Sequence, residues 1–352
     1  MFTSHAGPLR ALALSTCLLC LGVVVLGAYV RLNDAGLGCP DWPGCYGHLS
    51  PIGAAADVGQ DGATAAVAQQ SGRPLVLGKA WREMVHRYAA ATLVLLILLL
   101  AGLSLAWRRQ RLVPLTLSLA LPAIVIVQAA LGMLTVTWRL KPAIVTTHLL
   151  LGLTTLSLLW WLVLGLLRVR RIPPRRFSMP AIDLPGPKLR LARALAVFGL
   201  GVLVLQIALG GWTSSNYAAL ACPDVPTCQG SWWPAADFHA GFQPARDISI
   251  NEGRGFASLA LVAIQLTHRM GAALLTAALL VAALAAFRAR VRGAALLAAT
   301  AVLAALVLQL SIGIGMVLRG FPLELATAHN AGAALLLLAA LGLNHALYAV
   351  AS

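Results

Sequence analysis

The sequence predicts an all-α polytopic membrane protein, with eight transmembrane helices arranged as two repeated four-helix bundles. Three observations carry this expectation: scarce charge, evenly spaced apolar runs, and motifs that recur between the two halves of the chain. Of 352 residues, 60% are hydrophobic and only 11% charged, against roughly 25% charged in an ordinary soluble domain. Ions are expensive in hydrocarbon, so a chain that lives in lipid excludes them.

Eight apolar runs are long enough to cross a bilayer, which takes about 20 residues. They cover 11–31, 84–106, 112–136, 143–167, 191–213, 258–287, 293–317 and 323–349. Helices are the expected spanning element because they satisfy their own backbone polar groups. The first run, preceded by Arg10, has some features of a signal peptide. It is long for one and has a counterpart in the second half, so a retained helix is expected.

The net charge of +15 would suggest nucleic acid in a soluble protein. Here the basic residues crowd into short gaps between apolar runs, and no nucleic-acid motif accompanies them. Arg108, Arg109 and Arg111 fill one gap, and Arg288, Arg290 and Arg292 another. Arg168, Arg170, Arg171, Arg175, Arg176, Lys188, Arg190 and Arg193 surround the proline-containing linker 168–190. The positive-inside rule makes these gaps and both termini cytoplasmic, with loops 32–83 and 214–257 outside. No transit-peptide pattern is apparent, and a bacterial cell inner membrane is expected. The linker divides the chain into bundles at 1–167 and 191–352.

The halves look like copies. CPDWPGC at Cys39–Cys45 matches CPDVPTC at Cys222–Cys228, and MVHR at 84–87 matches LTHR at 266–269. His86 and His148 are 62 positions apart, and His268 and His329 are 61 apart; Gln128 and Gln309 each precede a histidine by 20. All four histidines fall on even-numbered runs. His86, His148 and His268 lie 20–22 residues before a cytoplasmic arginine and His329 lies 23 before the C-terminus. At 1.5 Å per residue that is about 30 Å, near the outer boundary of the hydrocarbon.

Two histidines at one depth on different helices are what axial ligation of haem requires. Gly132, Gly152, Gly210, Gly313 and Gly332 are candidates to give a flat macrocycle room. A hydrogen-bonded packing role is the alternative for any single histidine. Copper is less apt because the cysteine and histidine pairs lie on different elements. Zinc is less apt because C-x5-C without a second ligand pair is not its usual spacing, and no C-x-x-C-H is present for covalent haem. His5, His48, His239 and His345 have no repeat partner and read as surface or terminal residues. Each outer cysteine pair, Cys39–Cys45 and Cys222–Cys228, faces an oxidising compartment and can form a disulfide, either as a staple or as a redox-active pair. Cys17 and Cys20, within the first run, read as inert packing.

The copies differ at one informative position. Glu83 stands three residues before His86, where the second half has Gln265 before His268. Residues at i and i+3 share a helix face, so Glu83 is a general acid/base candidate beside the first histidine pair. An interfacial ion pair with Arg82 or Arg87 is the alternative. Arg31, Arg87, Arg139, Lys141, Arg269 and Arg319 gather at the outer edge, as anchors or as partners for haem propionates.

E-x-x-H-R, T-T-H, T-H-R and A-H-N-A-G in the even runs, with the paired loop cysteines and the duplicated plan, resemble the haem A synthase family over about 11–349. The resemblance implies oxidation of a haem O methyl group to a formyl group by successive hydroxylation, giving haem A for cytochrome oxidase. It implies haem b on His268 and His329, haem O iron on His86 and His148, and Glu83 as the catalytic carboxylate. It also implies membrane lipid, haem O synthase and an electron donor as partners, with homo-oligomers possible in principle. Two other classes fit parts of the pattern. One is a quinone-linked diheme b-type electron carrier, which needs no special carboxylate. The other is a transporter, since internal repeats are common there.

Overall fold

We describe a computed structural model covering residues 6–58, 62–110, 112–169, 186–244 and 258–349. Among these described residues, eight helices are long and apolar enough to cross a membrane. They are α1 (Ala6–Leu32), α2 (Leu77–Ala106), α3 (Leu115–Thr137), α4 (Pro142–Val169), α5 (Pro187–Ser215), α6 (Leu259–Arg288), α7 (Ala294–Leu318) and α8 (Leu323–Ala349). Among the described residues there is no strand, only isolated bridges at Cys45–His48 and Cys228–Ser231.

Local chemistry explains where the helices start and stop. Pro142 and Pro187 open α4 and α5 in the first helical turn, where the missing N–H costs nothing. Ser258 caps α6 by accepting from the Leu261 amide. The reversal after α3 places Arg139 and Leu140 at positive φ, and the reversal after α7 does the same with Gly320 and Phe321. In each turn the second residue donates its amide five positions back, Leu140 to Thr135 and Phe321 to Met316, both at 2.8 Å. This is the bond that closes a helix end with a left-handed residue.

Three expectations need correction. Helix α2 begins at Leu77, seven residues before the apolar run at 84, because Lys79, Arg82 and Glu83 continue the helix beyond the hydrocarbon-like stretch. The two long loops also contain helices, at Pro51–Ala56, Ala63–Ser71 and Phe238–Gly241. The ends of the expected linker are helical, since Arg168 closes α4 and Lys188 and Arg190 lie in α5. Arg111, Arg170, Arg171, Arg175 and Arg176, like His5, lie outside the described residues.

Helices α1 to α4 close into a ring, with α1 against α2 and α4, and α3 against α2 and α4. Helices α5 to α8 close likewise, with α5 against α6 and α8, and α7 against α6 and α8. In each ring the two even-numbered helices stand across from one another. The rings meet through α1–α8, α4–α5 and α4–α8. Their shared core runs from the middle of the helices toward the arginine-rich end and includes Leu9, Cys17, Ile97, Leu156, Leu159, Leu203, Leu279 and Leu336, all nearly inaccessible. Cys17 and Cys20 are buried free thiols within it, as packing residues should be.

Basic side chains stitch this end together. Arg10 donates to the Leu166 carbonyl, Arg168 to Ala349 and Arg193 to Leu347. Each meets a carbonyl in the last turn of a helix, where positive charge is favourable. At the opposite end Arg31 donates to the Ser214 carbonyl at 3.0 Å and lies over the Tyr217 ring, joining α1 to the end of α5. Nearby, Thr146 and Ser215 share a hydrogen bond.

The rings pack closely at Gly211, where a Cβ would come 3.0 Å from Leu149 Cδ2 and 3.3 Å from Thr146 Cγ2. Gly211→Leu is predicted to destabilise the protein by about 1–3 kcal/mol through overpacking. This would appear as a lower thermal midpoint of the detergent-solubilised chain; an unchanged midpoint would show that the rings separate freely there.

Candidate functional site

The four interior histidines occupy equivalent places. His86 and His268 lie nine residues after the starts of α2 and α6; His148 and His329 lie six after the starts of α4 and α8. All are therefore within about 14 Å of the disulfide-bearing end. Each is half-buried.

A glycine opposes every ring. A Cβ on Gly27 would sit 2.9 Å from His86 Cε1; on Gly132, 3.2 Å from His148 Cε1; on Gly210, 3.2 Å from His268 Cε1; on Gly313, 3.0 Å from His329 Cε1. Each glycine lies five residues before the end of its odd-numbered helix. Gly27 was missed in the sequence, although its separation of 59 from His86 against 58 for Gly210 and His268 marks it. Gly152 and Gly332 face glutamine amides instead: Gln128 Nε2 lies 3.1 Å from a Cβ on Gly152, and Gln309 Oε1 would collide with one on Gly332.

The second pair fits a bis-imidazole iron porphyrin. The rings of His268 and His329 are 6.5 Å apart between centroids and inclined at 76°. Two metal–imidazole bonds of about 2 Å place such centroids about 6 Å apart. In the first pair, the Nδ1 atoms of His86 and His148 are buried without hydrogen-bond partners, a costly state for a polar group that expects no ligand. Among the described residues no three His, Cys, Asp or Glu side chains cluster as a bare metal ion would need. A macrocycle that brings its own four nitrogens needs only the pair.

Disulfide loops cover both rings at this end. Cys39 bonds Cys45 and Cys222 bonds Cys228. The Asp41 carboxylate accepts the Tyr46 amide at 2.6 Å and the Gly47 amide at 2.8 Å. Asp224 accepts those of Gln229 at 2.6 Å and Gly230 at 3.0 Å, together with the Thr227 hydroxyl. Arg87 bolts the first loop to α2, donating to the carbonyls of Gly44 at 2.5 Å and Asp41 at 3.0 Å. Arg269 bolts the second to α6 through Thr227 at 2.6 Å, and Asp224 and Cys222 at 2.8 Å.

Glu83 is 4% exposed. Its Oε1 accepts from Arg87 at 2.5 Å and its Oε2 from the Cys39 amide at 2.8 Å. The carboxylate thus links helix, arginine and disulfide loop one turn from His86. Gln265, its counterpart, is equally buried and its Oε1 has no partner.

Of the remaining histidines, two depart from expectation. His48 is half-buried and lies 3.3 Å from Asp57, and His345 packs edge-on against Trp161 at 5.0 Å. Trp161 lies on another helix, and Asp57 reaches His48 only because the short helix Pro51–Ala56 folds the loop back, so repeat spacing could not reveal either neighbour. His239 is exposed. Arg139 is exposed too, and with Arg73 and Asp41 lines a surface cavity of about 290 Å³.

The fold and site define a multi-pass helical membrane protein with two histidine pairs facing across helix rings beneath disulfide-closed loops. The chain belongs to the cytochrome oxidase assembly protein family, whose model matches residues 10–341. It is 40% identical to a protein named heme A synthase from Shewanella oneidensis, over 93% of this chain and 92% of that one. Proteins of the same name from Rhizorhabdus wittichii and a Methylobacterium species are 28% and 30% identical, covering 94% and 91% of this chain and 91% and 86% of theirs.

The Thr227 hydroxyl, then the Gly230 and Gln229 amides, hold Asp224 below the usual aspartate range. A depressed folded value means that the contribution to loop stability is complete above the unfolded value of about 3.9 and is lost as pH falls through the folded one. Exchange protection of the Gln229 and Gly230 amides, corrected for intrinsic rates, should therefore hold from neutral pH down to about 4 and then decline. Protection that stays unchanged as pH falls well below about 4 would contradict this account of the loop.

Proposed function

We propose that this protein makes haem A for cytochrome oxidase by oxidising a ring methyl group of haem O to a formyl group. The observation that carries this reading is the pair of histidines across each ring, opposed by glycines, in a chain whose relatives are named heme A synthase. His86 and His148 would hold the substrate haem, and His268 and His329 a resident haem b. Bound at these positions, the iron porphyrin supplies the redox and oxygen chemistry.

The protein's own groups have separable tasks. Neutral imidazoles supply nitrogen lone pairs and fix the macrocycle's depth. Arg87 and Arg269 act through the disulfide loops, holding them over the open end of each ring and excluding water. Glu83 is the group that can hold or pass a proton beside the first pair, at the oxygen it shares with Arg87. Gln265 has the same shape but carries no titratable proton, which suits the second ring to a permanent haem. The halves at 1–167 and 191–352 would then be a substrate bundle and a haem b bundle joined by 168–190. The arginine-capped end would face the cytoplasm of a bacterium, with both termini there. A haem O synthase would supply the substrate, and an electron donor would serve the resident haem.

Expression in a host that makes haem O, followed by haem extraction, should yield haem A; its absence would remove the proposal. Unchanged porphyrin with intact absorption would favour the diheme electron carrier. Glu83→Gln should retain the haem spectrum while conversion falls at least about a hundredfold, the usual contribution of a positioned acid or base. Full turnover in that variant would assign Glu83 to the loop latch alone.

A further inference from the structure

Three glutamines stand in one repeated position. Gln128, Gln206 and Gln309 lie four residues before Gly132, Gly210 and Gly313, and so share a helix face with the glycine that meets the histidine ring. Each reaches across to the neighbouring helix. Nε2 of Gln128 donates to the backbone carbonyl of His148 at 2.9 Å, that of Gln206 to His268 at 2.9 Å, and that of Gln309 to His329 at 3.1 Å. The same amide nitrogens lie against the rings, 3.4 Å from His148 Nε2, 3.1 Å from His268 Nδ1 and 3.2 Å from His329 Nε2. A glycine one turn after each histidine admits the amide; a Cβ on Gly271 or Gly332 would collide with Gln206 or Gln309, and one on Gly152 would press Gln128.

His86 lacks this device. The position four before Gly27 is Val23, and Ala89 and Ala90 follow the histidine where Gly271 and Gly152 stand elsewhere. Among the described residues no side chain hydrogen-bonds to the His86 ring, and its Nδ1 is buried without a partner.

We propose that Gln128, Gln206 and Gln309 are positioning residues that lock three of the four histidines, and that His86, the unlocked one, lets go when substrate enters and product leaves. The inference rests on the ligand assignments proposed above. A hydrogen bond to the carbonyl of the ligand-bearing residue fixes the spacing between adjacent helices, and the amide against the ring limits its rotation. A resident group needs both of its ligands held this way, as His268 and His329 are. A group that must exchange needs one ligand held and the other free, as His148 and His86 are. Helix α2 thus differs from its three counterparts twice, in carrying Glu83 and in lacking the lock.

The test uses the full-length, haem-loaded protein in detergent and follows transfer of haem to a haem-scavenging apo-globin by absorption. The wild type should release haem in a fast and a slow phase. Gln206→Ala should speed the slow phase about fivefold, the effect of one lost buried hydrogen bond, and should let the reduced iron of that site bind carbon monoxide. A merely structural role would lower the unfolding temperature without opening the iron. The double substitution Val23→Gln with Ala89→Gly, which installs the lock at His86, should slow the fast phase by a similar factor. Two indistinguishable phases in the wild type, an unaltered slow phase in Gln206→Ala, or an unaltered fast phase in the double variant would each overturn the lock. A wild-type protein without Soret absorption would overturn the ligand assignments themselves, and the lock with them.

Discussion

An imidazole can point into a helix ring at this depth only if the neighbouring helix offers no side chain against it. That constraint, a glycine opposite each interior histidine, organises the rest of the molecule. A Cβ at any of Gly27, Gly132, Gly210 or Gly313 would lie within 3.2 Å of the ring, closer than ordinary packing allows. The glycine lets the helices approach while the ring keeps its inward direction. Because each glycine stands five residues from its helix end, the four rings share one depth. A shared depth across a ring is what the proposed ligation of one metal by two imidazoles requires.

The remainder of the structure divides around that level. Toward the arginine-rich end, leucine and alanine pack both rings into one core, and Arg10, Arg168 and Arg193 satisfy carbonyls at the helix ends. Toward the other end packing gives way to polar closure: disulfides, aspartates that gather loop amides, and the bolts Arg87 and Arg269. The two rings share this plan. They differ where chemistry would differ, in a carboxylate at 83 against an amide at 265 and in the missing glutamine beside His86. Gly211 keeps the rings close, since it packs on Leu149, the residue after His148, while adjacent Gly210 meets His268.

Much of this was legible in the sequence because it depends on residue type and spacing. The eight spans follow from hydropathy, and the equivalence of His86 with His268 and His148 with His329 follows from equal offsets. What stayed hidden depends on tertiary direction. Hydropathy reports affinity for lipid, so it could not show that α2 continues outward through Lys79, Arg82 and Glu83. Arg87 and Arg269 are equally compatible with a propionate and with a loop carbonyl until the loop is folded. Gly152 and Gly332 were legible as space near the histidines, but only the three-dimensional fold shows that Gln128 and Gln309 fill it. Gln206 went unnoticed because its counterpart in the first half is Val23, and repeat matching finds agreement more readily than difference.

The central claim is that two histidines from facing helices hold one porphyrin iron in each ring. Low-temperature electron paramagnetic resonance of the ferric, haem-loaded protein tests it most directly. The wild type should give two low-spin bis-imidazole signals, and His268→Ala should abolish one while leaving the other unchanged. Persistence of both signals in that variant would contradict the claim.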